Sequence, residues 1–186
     1  MRITPEGIKL DREPSDLDKF ALDFSKVIAK HTKYVIVSGY VSILLGRSRA
    51  SEDIDMLVPE MSEKNWEKIY DALEKEDYYC LNASVKESYA YLKDNIAVRF
   101  APKGQVIPNM EILFAENKIQ KLAIATSTAA TIGKDKIIIS NLELQIAYKE
   151  KILKSPKDME DARHIRMVLG KSINLQKLRD YEKLLK

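Results

Sequence analysis

The sequence predicts an α/β domain of the α+β kind, a mixed sheet with flanking helices, followed by a C-terminal helical segment. Three observations carry this. Short β-branched runs alternate with amphipathic stretches as far as about residue 140. From Leu142 onward the apolar spacing is helical. No Gly-, Ser- or Pro-rich linker divides the chain, so residues 141–186 are expected to pack on residues 1–140.

Residues 1–14 read as an irregular lead-in. "SDLDKFALDFSKVIAK" places Leu17, Phe20, Phe24, Val27 and Ile28 on one helical face, with Ser15 and Asp18 as a capping pair. "KYVIVSG" is a strand ending at a glycine, "YVSILLGR" a short helix stopped at Gly46, and "DIDMLVP" a second strand closed by Pro59. "SEKNWEKIYDALEKE" is an amphipathic helix with Ser62 as N-cap and Trp66, Ile69, Tyr70 and Leu73 as its buried stripe. "YYCLNA" reads as strand and "VKESYAYLKD" as helix. "NIAVRFAP", "PNMEILFA" and "GKDKIIISN" read as strands. Three helices follow, over about 142–153, 157–169 and 174–185. Ser155, Pro156 and Asp158 open the second and Gly170 closes it.

Composition narrows the class. With 186 residues, 45% hydrophobic and 32% charged, the chain suits one sizeable domain. A net charge of +3 is too mild to argue for nucleic acid. The basic excess sits in residues 141–186, with 11 Lys and Arg against 7 Asp and Glu, and reads either as a solvated helical face or as a phosphate-binding surface. Cys80 is the sole cysteine, so no internal disulfide forms, which fits a reducing compartment. No signal peptide is apparent and no apolar run approaches the roughly 20 residues of a membrane span, so the expectation is a cytoplasmic protein without a membrane partner.

The chemistry concentrates in "SGYVSILLGRSRASEDIDMLVP". Residues i and i+2 of a strand point to the same side, so Asp53 and Asp55 project together while Ile54 serves the core. Two adjacent carboxylates repel, and one is driven toward protonation unless a cation intervenes. Hard oxygen donors suit Mg²⁺, which commonly shares the phosphate oxygens of a substrate. Upstream, the Ser38-Gly39 turn opens a helix, where backbone N–H groups can face a phosphate. Strand, turn, helix and acid-bearing strand together suit a nucleoside triphosphate with its metal.

This stretch resembles the signature of the polymerase-β-like nucleotidyltransferase superfamily: an apolar strand, a Gly-Gly or Gly-Ser turn, a helix, then an Asp-x-Asp strand. "GRSRASEDIDMLV" looks especially like the small prokaryotic branch, which includes minimal nucleotidyltransferases and the nucleotidyltransferase toxins of abortive-infection toxin–antitoxin systems. Gly46, Arg49, Ser51, Asp53, Ile54 and Asp55 carry that likeness. Ser38 stands where the family has a first glycine, putting a side chain where backbone would approach phosphate.

The resemblance implies a third carboxylate on a later strand, which Glu111 of "NMEILFA" offers, where the family more often has Asp. Asp94 and Glu116 are other candidates in turn-like settings. Asp53, Asp55 and Glu111 would hold two Mg²⁺ ions and act in catalysis. Ser38, Gly39, Arg49, Ser51 and Lys149 would bind the nucleotide, with ATP among the donors implied. Arg49 reads either as a partner of triphosphate or as a partner of Glu52 or the acid pair. Lys149 reads either as a phosphate ligand or as a solvated helix lysine. Lys157 and Asp161 read as an i, i+4 helix pair. Arg99 faces either cleft or solvent, and His31 and His164 read as structural or surface residues. The implied activity is metal-dependent transfer of a nucleoside monophosphate to a hydroxyl of a tRNA, a partner protein or a small molecule, within a toxin–antitoxin system. The alternative is a degenerate, non-catalytic binding module with the same fold.

Overall fold

Nine strands form one mixed sheet in a computed structural model that describes residues 1–4, 7–49, 51 and 53–185. In chain order they are β1 (Arg2–Thr4), β2 (Gly7–Leu10), β3 (Val35–Val37), β4 (Asp53–Pro59), β5 (Tyr78–Cys80), β6 (Val98–Pro102), β7 (Asn109–Ala115), β8 (Thr128–Ile132) and β9 (Asp135–Ile139). The helices are α1 (Asp16–Ala29), α2 (Gly39–Leu44), α3 (Glu63–Lys75), α4 (Val85–Lys93), α5 (Lys118–Ala125), α6 (Leu142–Tyr148), α7 (Pro156–Leu169) and α8 (Leu175–Leu184). The order across the sheet is β1-β2-β8-β9-β3-β4-β7-β6-β5, and β2/β8, β9/β3 and β4/β7 are the parallel pairs.

Period-2 alternation divides the central strands between two environments. Ile54, Met56 and Val58 of β4 and Met110, Ile112 and Phe114 of β7 are buried. On that side Phe24 of α1, Trp66 and Tyr70 of α3 and Tyr89 of α4 meet Phe100 and Phe114 edge-on or tilted. The buried Trp66 indole donates to Ser88 Oγ (2.8 Å), satisfying its only polar atom. The opposite side carries Asp55, Leu57 and Leu113 and lies against α5 and α6. Leu142, Leu144 and Ile146 of α6 and Ile165 of α7 belong to the same apolar cluster as the strands.

Local chemistry sets several helix ends. Ser15 and Asp18 form the expected capping box of α1, and Ser155 accepts from the Asp158 N–H with Pro156 at the first position of α7. Ser62 occupies the N-cap of α3 without a side-chain bond.

Three differences from the sequence reading have physical causes. The lead-in contains β1 and β2, drawn into strands by pairing with each other and with β8; Pro5 and Glu6 between them lie outside the described residues. α5 was not expected, although Asn117 and Gln120 make a complete capping box. The helix expected over 142–153 is α-helical only to Tyr148 and continues as a π-turn over Lys149–Leu153.

Candidate active site

The acid-bearing strands meet in register. β4 and β7 are parallel neighbours that pair Asp53 with Asn109 and Asp55 with Glu111. β3 lies on the other side of β4, pairing Val37 with Asp55, so the Ser38 turn ends beside the same carboxylate. The three acids singled out in the sequence therefore share one end of one sheet region, with the turn next to them. Asp94 closes α4, and Glu116 precedes α5.

The electrostatics reflect that crowding. Burial, then the Glu111 charge and that of Asp53, push the Asp55 carboxyl up to about 6, against the opposing hydrogen bond of Ser38 and the Lys149 charge. Asp53 is exposed, and its Oδ1 accepts from Asn109 Nδ2 (2.7 Å). Glu111 Oε1 pairs with Arg99 Nε at 2.7 Å. Among the described residues no three His, Cys, Asp or Glu are already gathered as a metal cage. The donor set nevertheless fits a hard divalent cation: Asp55 and Glu111 are in-register carboxylates that repel, and a cation between them would relieve it.

The turn has unusual backbone geometry. Ser38 sits at φ 63°, ψ −135°, a conformation that favours glycine, which explains why a glycine would be natural there. Gly39 is needed for a different reason. A Cβ there would lie 2.9 Å from the Arg49 guanidinium, which packs on it. The Arg49 Nε is buried without a hydrogen-bond partner, an orphaned cationic donor beside the turn. Glu52, the other partner weighed for Arg49, lies outside the described residues.

Behind Arg49 is a buried hub that sequence reasoning missed. Asp161 on α7 is fully buried and accepts from Arg49 Nη1 (2.6 Å), Lys149 Nζ (2.8 Å) and Arg47. It does not pair with Lys157, as the i, i+4 spacing suggested, but turns inward to three cations. Lys149 is neither solvated nor open: its side chain is 1% exposed, between Asp161 and Asp158 (3.1 Å). Burial lowers its pKa, and Asp158 opposes that. Ser155 and Lys149 hold the Asp158 carboxyl below its ordinary value, although burial alone would raise it. Ser51 Oγ donates to the Asp53 carbonyl (2.9 Å), which anchors the start of β4. His164 Nε2 lies 3.2 Å from the Leu45 carbonyl and joins α7 to the end of α2, a structural role. The local signal for the hub was the "KSPKDMED" run, whose acids read as ordinary capping and helix-pair residues.

No protein-family model matches the chain, and no curated protein matches it by sequence. Its fold is that of the nucleotidyltransferases. It is similar to the crystal structure of an antigenic nucleotidyltransferase-like protein from Paracoccidioides brasiliensis, with TM-score 0.58 at 16% identity over 93% of this chain and 88% of that one. It is also similar to the crystal structure of ANT(2″)-Ia in complex with adenylyl-2″-tobramycin, with TM-score 0.55 at 14% identity over 90% of this chain and 97% of that one. The solution structure of ANT(2″)-Ia, an antibiotic-resistance factor, gives TM-score 0.52 at 15% identity, covering 90% and 91%. No helix of the described residues is long and apolar enough to cross a membrane.

Proposed function

We propose that this protein is a metal-dependent nucleotidyltransferase of the small prokaryotic branch. The observation that carries the reading is the register of Asp55 with Glu111 on β4 and β7, beside a Ser38-Gly39 turn overlaid by a guanidinium with a free donor. Asp53, Asp55 and Glu111 would hold two Mg²⁺ ions, which when bound supply Lewis-acid stabilisation of phosphoryl charge. The Ser38 and Gly39 backbone and the Arg49 guanidinium bind the triphosphate of a donor such as ATP. Lys149 and Arg47 act through Asp161, which keeps Arg49 over the turn. Ser51 fixes the strand that carries the acids.

The acceptor hydroxyl oxygen bonds to the α-phosphorus as the bond to pyrophosphate breaks. The Glu111 carboxylate takes the hydroxyl proton. Acceptors consistent with this site are a tRNA 3′ end, a partner protein within a toxin–antitoxin pair, or a small polyhydroxylated molecule such as the one carried by ANT(2″)-Ia. The test is transfer of α-labelled nucleotide from each of four nucleoside triphosphates, with Mg²⁺, to tRNA, cellular protein and aminoglycosides. Wild type should transfer label and release pyrophosphate, and Asp55→Asn should do neither. No transfer to any acceptor by folded wild type would favour the degenerate binding module, for which the Ser38 strain speaks.

A further inference from the structure

Asp55 and Glu111 are opposite one another on β4 and β7, and the pair two residues nearer the start of each strand is Asp53 with Asn109. By strand alternation all four side chains stand on one face. The patch is therefore a square of three acids and one amide. Three corners hold the candidate metal ligands, and the transfer reaction assigns nothing to the fourth, Asn109.

Asn109 is 5% exposed. Its Nδ2 donates to Asp53 Oδ1 at 2.7 Å and lies 3.5 Å from the Val106 carbonyl, in the turn before β7. Its Oδ1 is buried and has no hydrogen-bond partner among the described residues. A buried acceptor left unpaired is costly, and native structures rarely keep one without a use. The reverse orientation of the amide would set that oxygen against the Asp53 carboxylate, so Asp53 fixes which way the amide faces. Stability does not explain the arrangement. Asp53 is exposed, and water can bond its carboxylate, so the Asn109 bond adds little net stability to set against the unpaired oxygen. What the bond does is restrict the Asp53 side chain, which would otherwise sample several rotamers. A cation that meets a carboxylate already oriented by an outer hydrogen bond does not have to order it. An amide suits this corner because it donates without charge, whereas a fourth carboxylate would add to the repulsion among the acids.

We propose that Asn109 is a positioning residue for the candidate metal site, holding Asp53 in the orientation in which it ligates a divalent cation. The assignment rests on the reading of the three acids as metal ligands. Asn109 acts through Asp53 and need not touch a reacting atom.

The test is titration of the full chain with Mn²⁺, a paramagnetic stand-in for Mg²⁺ that shares its preference for oxygen ligands, read by electron paramagnetic resonance. The proteins are wild type, Asn109→Ala, Asn109→Leu, Asp53→Ala, Asp53→Ala/Asn109→Ala and Asp53→Ala/Asp55→Ala, with circular dichroism as the check of folding. Wild type should bind Mn²⁺, and each Asn109 variant should bind it about tenfold or more weakly, the scale of a lost outer hydrogen bond to a metal ligand. Either Asn109 variant decides the matter if the other does not fold. Asp53→Ala keeps Asp55 and Glu111, so a weaker site remains to be titrated. Adding Asn109→Ala to it should change the affinity no further, because the amide then has no carboxylate to hold. Wild-type affinity in a folded Asn109 variant overturns the positioning role while leaving the metal site intact. So does a further tenfold loss in the Asp53→Ala background, which is what general loosening of the strand start would give. Wild type that binds Mn²⁺ no tighter than Asp53→Ala/Asp55→Ala overturns the metal-site reading, and the positioning role with it.

Discussion

Replacing Asp161 with Asn probes the support of the phosphate-facing arginine with little change of shape. The wild-type carboxylate is fully buried and balances Arg47, Arg49 and Lys149, with Arg49 and Lys149 at 2.6 and 2.8 Å. The amide keeps one acceptor oxygen but removes the negative charge, leaving Glu160 on Arg47 and Asp158 on Lys149 as the remaining ion-pair partners among the described residues. Removing one partner of a buried ion pair costs about 3–5 kcal/mol. In a chain of this size each kcal/mol moves Tm by about 2–4 °C, so Asp161→Asn should melt roughly 6–20 °C below wild type. The surplus positive charge should also make the variant more responsive to polyanions. Denaturant unfolding at pH 7, with and without tripolyphosphate, reads both effects. A loss below about 1 kcal/mol with an unchanged anion response would refute the hub.

Three further outcomes follow from the same geometry. Burial and Glu111 hold the Asp55 carboxyl at about 6, above its ordinary 3.8, so the native state binds its proton more tightly than the unfolded chain. In chelated buffer its contribution to stability should therefore fall as pH rises from about 4 through 6, by about 3 kcal/mol in all. Asp55→Asn should remove that slope and exceed wild type at pH 7; parallel pH–stability curves would show that the repulsion is absent. Ser38→Gly relieves a strained φ of 63° and should stabilise the protein by about 1 kcal/mol after the entropy cost of glycine, whereas a loss in urea unfolding would mean that the Ser38 contact with Asp55 matters more than the strain. Arg99 is half exposed, so Arg99→Ala should change stability by less than about 1 kcal/mol while releasing Glu111 and tightening Mg²⁺-dependent nucleotide binding; weaker binding would make Arg99 a ligand contact instead.

What the sequence disclosed was governed by short-range rules. The i, i+2 spacing of Asp53 and Asp55 and the apolar neighbours of Glu111 were enough to place three acids on buried strands. Ser15 with Asp18 and Ser155 with Pro156 marked two helix starts because caps are local. β8, "TAATI", escaped because its small and polar residues carry little apolar alternation; pairing with β2 and β9 makes it a strand. α5 escaped although its Asn117–Gln120 capping box was visible. The Asp161 hub could not be read locally. Its arginine partners lie 114 and 112 positions away in the chain, and only the packing of α2 against α7 brings them to it.

The central claim is that Asp53 and Asp55 form a metal-dependent nucleotide site, and thermal stability reads it most directly. Wild type and the Asp53→Ala/Asp55→Ala double variant are titrated with ATP, CTP, GTP and UTP in the presence of Mg²⁺. A ligand that binds only the folded state adds about 2.7 kcal/mol at a hundredfold excess over its Kd. The account predicts a Mg²⁺-dependent rise in Tm for wild type with at least one nucleotide, and no rise for the folded double variant. No rise with any nucleotide, or the same rise in both proteins, contradicts it.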